Sequence, residues 1–542
     1  MHIRRDIEEI LKEMGIKAPF IELEVPRVSS HGDISTPVAM MIARQVKKPP
    51  REIAEQVGKQ LHSLGTYEKV EIAGPGFINI FFKPEYLYEQ LEKLLNSPER
   101  TLRMNIGNGQ RIQVEFVSAN PTGPLHLGHG RGAAVGAALS SLLERAGYSV
   151  EREFYINDAG RQVWLLGESI FARYCEASGV EYPFPEEGYR GEYIKEIANE
   201  LREEVSEEYI NREFDEVSEF FIDYGVNRML QWIRRDLEEF GVFFDRWQSE
   251  KALYREGIVQ KCQEELRKKG YLYDKDGAVW FKATEFGDDK DRVVIKSDGS
   301  PTYFASDIAY HWYKLQRGFD QLVNIWGADH HGYIPRIKAV IKALGQPDEK
   351  LHILLVQMVN LLRAGKPVQM SKRAGEFITL REVIEEVGPD TTKFIFLTRR
   401  PDSHLDFDIE VAKKESSENP VYYVQYAHAR INSIFKNADE ELLKNLDKVD
   451  LTLLRQEEEL ALIKKILFYT IMFEGAVREM EPHRVTFYLQ ELAKLFHSFY
   501  TKHRVLGNDT DLSRARLALC KAVFMVLREG LSILGVTAPE KM

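Results

Sequence analysis

A chain of 542 residues is several times longer than an ordinary domain, so three or four domains are expected. Hydrophobic residues at 44% and charged residues at 29% describe a globular protein, and no apolar run approaches the roughly 20 residues that a membrane span needs. The net charge of −11 speaks against indiscriminate binding of polyanions, so any nucleic acid has to meet a local patch.

The opening stretch, MHIRRDIEEILKEMG, sets apolar residues at helical spacing among acidic and basic ones. It predicts an amphipathic helix and suits neither a secretory signal nor an acid-poor transit peptide, so a cytoplasmic, membrane-free location is expected. An extended segment through Ile21-Glu22-Leu23, a helix after Pro49-Pro50 and a strand run ending Phe77-Ile78-Asn79-Ile80-Phe81-Phe82 make residues 1–105 a small α+β unit, short and separable. Clustered Gly and Asn over 104–109 read as a linker. A strand over 111–117, a helix over 133–145 and a strand over 150–156 follow. That order is a βαβ unit, which predicts a parallel sheet with its ligand at the carboxyl ends of the strands. Residues 165–245 are charged and helical and read as an insertion on that sheet. Sheet-like segments return at 278–282, 293–296 and 322–326, and helical periodicity runs from 421 to 542. Cys175, Cys262 and Cys520 are too scattered for a disulfide framework or a zinc spacing and read as core thiols.

The window Glu115-Phe116-Val117-Ser118-Ala119-Asn120-Pro121-Thr122-Gly123-Pro124-Leu125-His126-Leu127-Gly128-His129-Gly130 follows a strand and opens a helix. Free N–H groups and the positive end of the helix dipole favour a phosphate there, and Gly128 and Gly130 let it approach. His126 and His129, three apart, can both donate to charge developing on an α-phosphate. Alone, the pair also fits zinc ligands or satisfied surface groups. A second window, Gln369-Met370-Ser371-Lys372-Arg373-Ala374-Gly375, lies in a polar stretch where a lysine loop could close over pyrophosphate; alone it is a solvated basic turn.

Together the two windows resemble the paired signatures of class I aminoacyl-tRNA synthetases, His-Ile-Gly-His and Lys-Met-Ser-Lys-Ser. The resemblance implies an α/β fold, with a Rossmann-like catalytic domain over 106–390 and a connecting segment over 391–420. It also implies catalytic roles for His126, His129, Ser371 and Lys372, with ATP, as its Mg2+ complex, held by His126, Gly128, His129, Gly130, Asp329, His330, Met370 and Lys372. The first signature lysine is Gln369 here, so Lys366 or Arg373 has to supply its charge if anything does.

Glu115, Ser118 and Asn120, with Tyr303-Phe304-Ala305-Ser306-Asp307, resemble the arginyl branch of that class. A guanidinium wants carboxylates in its plane and accepts an aromatic face. Glu115 and Asp307 would supply the charge and Tyr303 the face, with Ser118 and Asn120 orienting the α-amino group. Residues 1–105 resemble that branch's extra domain, implying tRNA D-loop contacts at Phe77 and Asn79. Residues 421–542, with Gln425-Tyr426-Ala427-His428-Ala429-Arg430, resemble its all-α anticodon-binding domain, implying contacts at Tyr426, Arg430, Tyr500 and Met542. The implied protein is a monomer that joins L-arginine to tRNA-Arg and carries no structural metal. Another class I synthetase, a small-molecule nucleotidyltransferase and a tRNA-binding scaffold without catalysis are the competing readings; the helical end disfavours the second and the intact His126, His129 and Lys372 the third.

Overall fold

The computed structural model describes residues 2–368 and 378–542, and these fall into two compact units. One unit comprises Asn105–Val421 with Leu534–Val536. At its centre five strands, β1 (Arg111–Glu115), β2 (Ser149–Ile156), β3 (Arg246–Ser249), β4 (Gln321–Gly327) and β5 (Leu351–Val356), pair in the order β5-β4-β1-β2-β3. All four pairings are parallel. This is the doubly wound 3-2-1-4-5 order, in which the chain reverses direction across the sheet between β1 and β4. In sheets of this order a ligand crevice forms where the helices leaving those two strands diverge. The βαβ reading thus holds, but β1 stops at Glu115, two residues short of the expected end, because Val117 (φ 68°) and Ser118 (φ 39°) turn into the left-handed region. A β-branched residue pays for that conformation in strain, and strain of this kind gathers where a backbone is held for a purpose.

Helix α1 (Leu127–Arg145) leaves β1 and starts earlier than its apolar spacing suggested. The charged stretch after β2 forms α2 (Arg161–Ala177), α3 (Glu192–Val205) and α4 (Phe214–Glu239). Their facing sides bury an apolar cluster around Phe171, Tyr174, Ile197 and Phe221. Helices α5 (Tyr303–Gln316) and α6 (Ile334–Ala343) flank β4, and their core runs through Phe304, Ile308, Ile337 and Val340. The segments expected as sheet at 278–282 and 293–296 belong to a separate antiparallel sheet of Leu272–Lys275, Ala278–Phe281 and Arg292–Ile295.

The other unit joins the chain up to Met104 with Tyr422–Ile533 and Thr537–Met542. Its three-stranded antiparallel sheet sets Phe77–Phe82 between Ile34–Thr36 and Tyr67–Ala73. The expected extended segment at Ile21-Glu22-Leu23 is irregular, and a single bridge from Glu24 to Ser35 takes its place. Helix Pro84–Asn96 packs on Glu457–Leu467 and Thr510–Ile533, so the two ends of the sequence share a core. Cys175, Cys262 and Cys520 are free and buried. No helix among the described residues is long and apolar enough to cross a membrane.

Candidate active site

The two histidines stand at the start of α1. His126 is its N-cap: Nδ1 accepts from the backbone N–H of Gly128 (3.0 Å) and of His129 (3.4 Å), while the N–H of His126 reaches Nδ1 of His129 (3.4 Å). The rings stack, with centroids 3.7 Å apart. A ring nitrogen that accepts carries no proton, so each neutral imidazole holds its hydrogen on Nε2 as a donor. Burial and the neighbouring His126 push His129 down to about 3, so it stays neutral across the working range. Gly128 is required because a Cβ there would meet the His126 ring at 2.9 Å. Gly130 is buried, and a Cβ would stand 2.5 Å from Leu380, so packing sets this position.

Met370, Ser371 and Lys372, with Gln369 and Arg373, lie outside the described residues. The flanks of that segment are described. Thr379 forms a bridge with His126, and Leu380 N–H donates to Leu125 O at 2.8 Å, stitching the second window's downstream end to the first. Thr379 then caps helix α7 (Leu380–Val387) through a capping box with Glu382. Lys366 is exposed on a two-residue strand upstream.

Beyond the histidines, three carboxylates gather at the carboxyl edge of the sheet. Asn324 of β4 lies in register with Glu115 of β1, and the buried ammonium of Lys314 bridges them, 2.5 Å from Glu115 and 2.8 Å from Asn324. Ser118 donates to the other oxygen of Glu115 (3.0 Å) and accepts from the N–H of Tyr155 (3.1 Å). Glu115, offered by the sequence as a charge for the guanidinium, therefore stands already paired with a lysine.

Asp307 on α5 makes no ion pair among the described residues, although Arg336 stands close enough to pull it down a little. Its carboxyl accepts from the Tyr333 hydroxyl, and burial, together with Glu250 and Glu115, pushes it up to about 7. Glu250, 4% exposed, accepts from Ser306 at 2.6 Å, and burial with the nearby Asp158 raises it as well. Sequence reasoning passed over Glu250. It sits directly after β3, a four-residue strand at the end of a helical insertion, and only its place at the carboxyl end of a parallel strand could have singled it out. Tyr303 opens α5 with 57% of its surface exposed and its hydroxyl against Gly160. Asn120 donates to Gln162 at 2.7 Å. Asp329 and His330 lie exposed on the turn Ala328–Tyr333 that follows β4.

In the other unit, Tyr426, Arg430, Tyr500 and Met542 line one cavity of about 810 Å³. The Arg430 guanidinium lies between two rings, 4.4 Å from Tyr426 and 4.7 Å from Tyr500. Asn79 is 5% exposed, and its side chain accepts from Ser35 within the sheet, while Phe77 is half-buried at the strand's start.

A doubly wound sheet, a histidine pair capping the helix after its first strand, and a cluster of buried carboxylates at the carboxyl edge of the sheet describe a class I aminoacyl-tRNA synthetase. Family models match along the chain: "Arginyl tRNA synthetase N terminal domain" over residues 1–82, "tRNA synthetases class I (R), catalytic domain" over 90–433 and "DALR anticodon binding domain" over 424–542. An arginine–tRNA ligase of Syntrophotalea carbinolica is 52% identical over 527 residues, covering 97% of this chain and 95% of that one. One of Bacillus subtilis is 48% identical, with both chains covered completely. A solved arginyl-tRNA synthetase chain of Campylobacter jejuni superposes with a TM-score of 0.78 at 37% identity, covering 84% of this chain and 99% of that one. That of Thermus thermophilus, at 23% identity and a TM-score of 0.79, shares the fold along 100% of this chain and 99% of its own. The chain belongs to the arginyl-tRNA synthetase family: it activates L-arginine with ATP and transfers it to the 3′ end of tRNA-Arg, releasing AMP and pyrophosphate.

Proposed function

We propose that the guanidinium of arginine is read by Asp307 and Glu250, with the face of Tyr303 over it. The observation that carries this reading is the carboxyl of Asp307, buried near two other carboxylates and, among the described residues, without an ion pair of its own, Arg336 acting on it only as a minor charge nearby. Such a carboxyl gains most from a cation that can bond in its plane, which a guanidinium does and the point charge of a lysine side chain does not. Glu115, braced by Lys314 and Ser118, forms the floor of the pocket, and Asn120 offers its amide oxygen to the α-amino group. The Nε2 hydrogens of His126 and His129 meet the α-phosphate as the arginine carboxylate attacks it and pyrophosphate leaves. Asp329 and His330 face the adenosine, Gly128 and Gly130 shape the backbone beneath the phosphates, and Met370, Ser371 and Lys372 act on the triphosphate. Mg2+ enters as the ion of MgATP. On the same reading the protein works as a monomer in the cytoplasm. Phe77, with Asn79 behind it, touches the D-loop of the tRNA, and the cavity at Arg430 takes anticodon bases.

The test is Glu250→Gln beside Asp307→Asn. Each is expected to raise KM for arginine by about tenfold or more, the loss of one charged hydrogen bond, with KM for ATP unchanged. Equal losses toward arginine and ATP would remove the pocket assignment.

A further inference from the structure

Helix Pro420–Asn437 carries two polar stripes one residue out of phase. Tyr426 and Arg430, four residues apart, turn toward the cavity that Tyr500 and Met542 complete. Gln425, His428, Asn432 and Lys436, spaced by three and four, form the neighbouring stripe. That stripe grips the segment Thr537–Met542. The Gln425 amide donates to Thr537 O at 2.9 Å, His428 Nδ1 to Pro539 O at 2.9 Å and the Asn432 amide to Glu540 O at 2.9 Å, and Lys436 pairs with the Glu540 carboxylate at 3.4 Å. A carbonyl can only accept, so His428 carries its proton on Nδ1; its ring is buried and stacks on Phe524 at 4.1 Å. The gripped segment itself is mostly exposed, and residues 540–542 bury no apolar side chain. Three side chains reading three backbone carbonyls therefore do most of the holding, with the Lys436–Glu540 ion pair beside them.

We propose that Gln425, His428 and Asn432 are positioning residues for tRNA recognition: they latch this segment to the helix so that Met542 stands at the mouth of the cavity. The proposal rests on the reading of that cavity as the anticodon-contacting surface. The latch and the reading stripe sit on one rigid helix, so the distance from Met542 to Arg430 is set by helical geometry and not by the path of an otherwise exposed tail.

The experiment compares four proteins: the parent, Gln425→Ala with Asn432→Ala, the parent lacking Lys541-Met542, and the combination. The double substitution is expected to raise KM for tRNA about five- to tenfold, the worth of one or two neutral hydrogen bonds, with kcat and KM for arginine unchanged. Deletion of Lys541-Met542 is expected to do the same, and the combination to be no worse than the deletion alone, because the latch acts only through what it holds. A residue that merely stabilised the helix would multiply its effect with the deletion, and that result overturns the proposal. In the protein labelled with 13C-methyl methionine, the Met542 resonance is expected to narrow and move to its random-coil position in the double variant; a resonance that stays in place overturns the latch itself. Arg430→Ala, run alongside, isolates the underlying reading: an unchanged KM for tRNA there removes the cavity assignment and the role given to the latch with it.

Discussion

On the proposed reading of the pocket, Asp307 joins recognition to pH. Its carboxyl is pushed up to about 7 first by burial and then by Glu250 and Glu115, and the Tyr333 hydroxyl and the nearby Arg336 pull only part of the way back. An acid raised above its ordinary value near 3.8 keeps its proton in the folded protein when the unfolded chain has lost it. The free protein therefore loses stability from this group as pH rises from about 4 to about 7, with the full penalty present above 7. If Asp307 reads the guanidinium as proposed, arginine reverses the balance, since a guanidinium needs the carboxylate. Binding must expel the proton below about 7, and affinity for arginine is expected to fall about tenfold per pH unit there and to level off above it. Calorimetric titration in two buffers of different ionisation heat checks this: proton release at pH 6 that vanishes at pH 8 is expected, and release that does not change with pH would rule Asp307 out as the titrating partner. Asp307 and Tyr303 were legible in the sequence because a spaced motif carried them. Lys314, Asn324 and Glu250 were not, because a buried lysine reads on a helix as one more solvated charge until β1 and β4 are known to be neighbours.

At the scale of the element, the start of α1 has two tasks that mutation can separate. His126 both caps the helix and presents its Nε2 hydrogen, and α1 begins at Leu127 because that cap satisfies the N–H groups of Gly128 and His129. His126→Ala should lower kcat by about 10² and also cost about 1 kcal/mol of stability from the lost cap. His126→Asn should lose the same catalysis yet keep the melting temperature, since asparagine is among the best N-caps. Measured kcat and Tm for the two variants separate these tasks; an alanine variant with unaltered Tm would mean that the cap carries no load. The loop before it shows where reading by periodicity stops. Alternation ran β1 on to residue 117, whereas the backbone leaves the strand after Glu115 to pass Val117 and Ser118 through left-handed geometry, which no side-chain pattern records. The same limit applied to β3 and the Leu272–Lys275 strand, four residues each and too short to show a period against the helices around them. Long elements such as α4 and Thr510–Ile533 were plain because several turns repeat one apolar face.

Over the whole molecule, the order of the chain and the order of the cores differ. The amino-terminal segment reads as a separable unit, with its own sheet and helices, but its outward faces are spent on the helical end of the chain. Arg4 pairs with Glu474 at 2.7 Å, Asp33 with Lys464 at 2.6 Å, and the Tyr88 hydroxyl donates to Leu454 O at 2.8 Å. Phe20 lies beneath the guanidinium groups of Arg4 and Arg478. Helix Pro84–Asn96 completes the joint, and its Leu91 is 1% exposed. Apolar spacing can turn a leucine such as Leu91 inward but cannot say which core it enters, and the helices that Pro84–Asn96 meets lie more than 350 residues further along the sequence. A shared core should unfold as one. Leu91→Ala is expected to cost about 2–5 kcal/mol, the range for a leucine truncated in a packed interior, and the loss should spread to Glu457–Leu467 and Thr510–Ile533. Amide hydrogen exchange in dilute denaturant reads this directly: protection should fall by a common amount in Pro84–Asn96 and in both of those helices, while β1 and β4 of the other unit keep theirs. Protection lost only before residue 105 would mean that the amino-terminal segment opens by itself, and that the joint stabilises nothing beyond it.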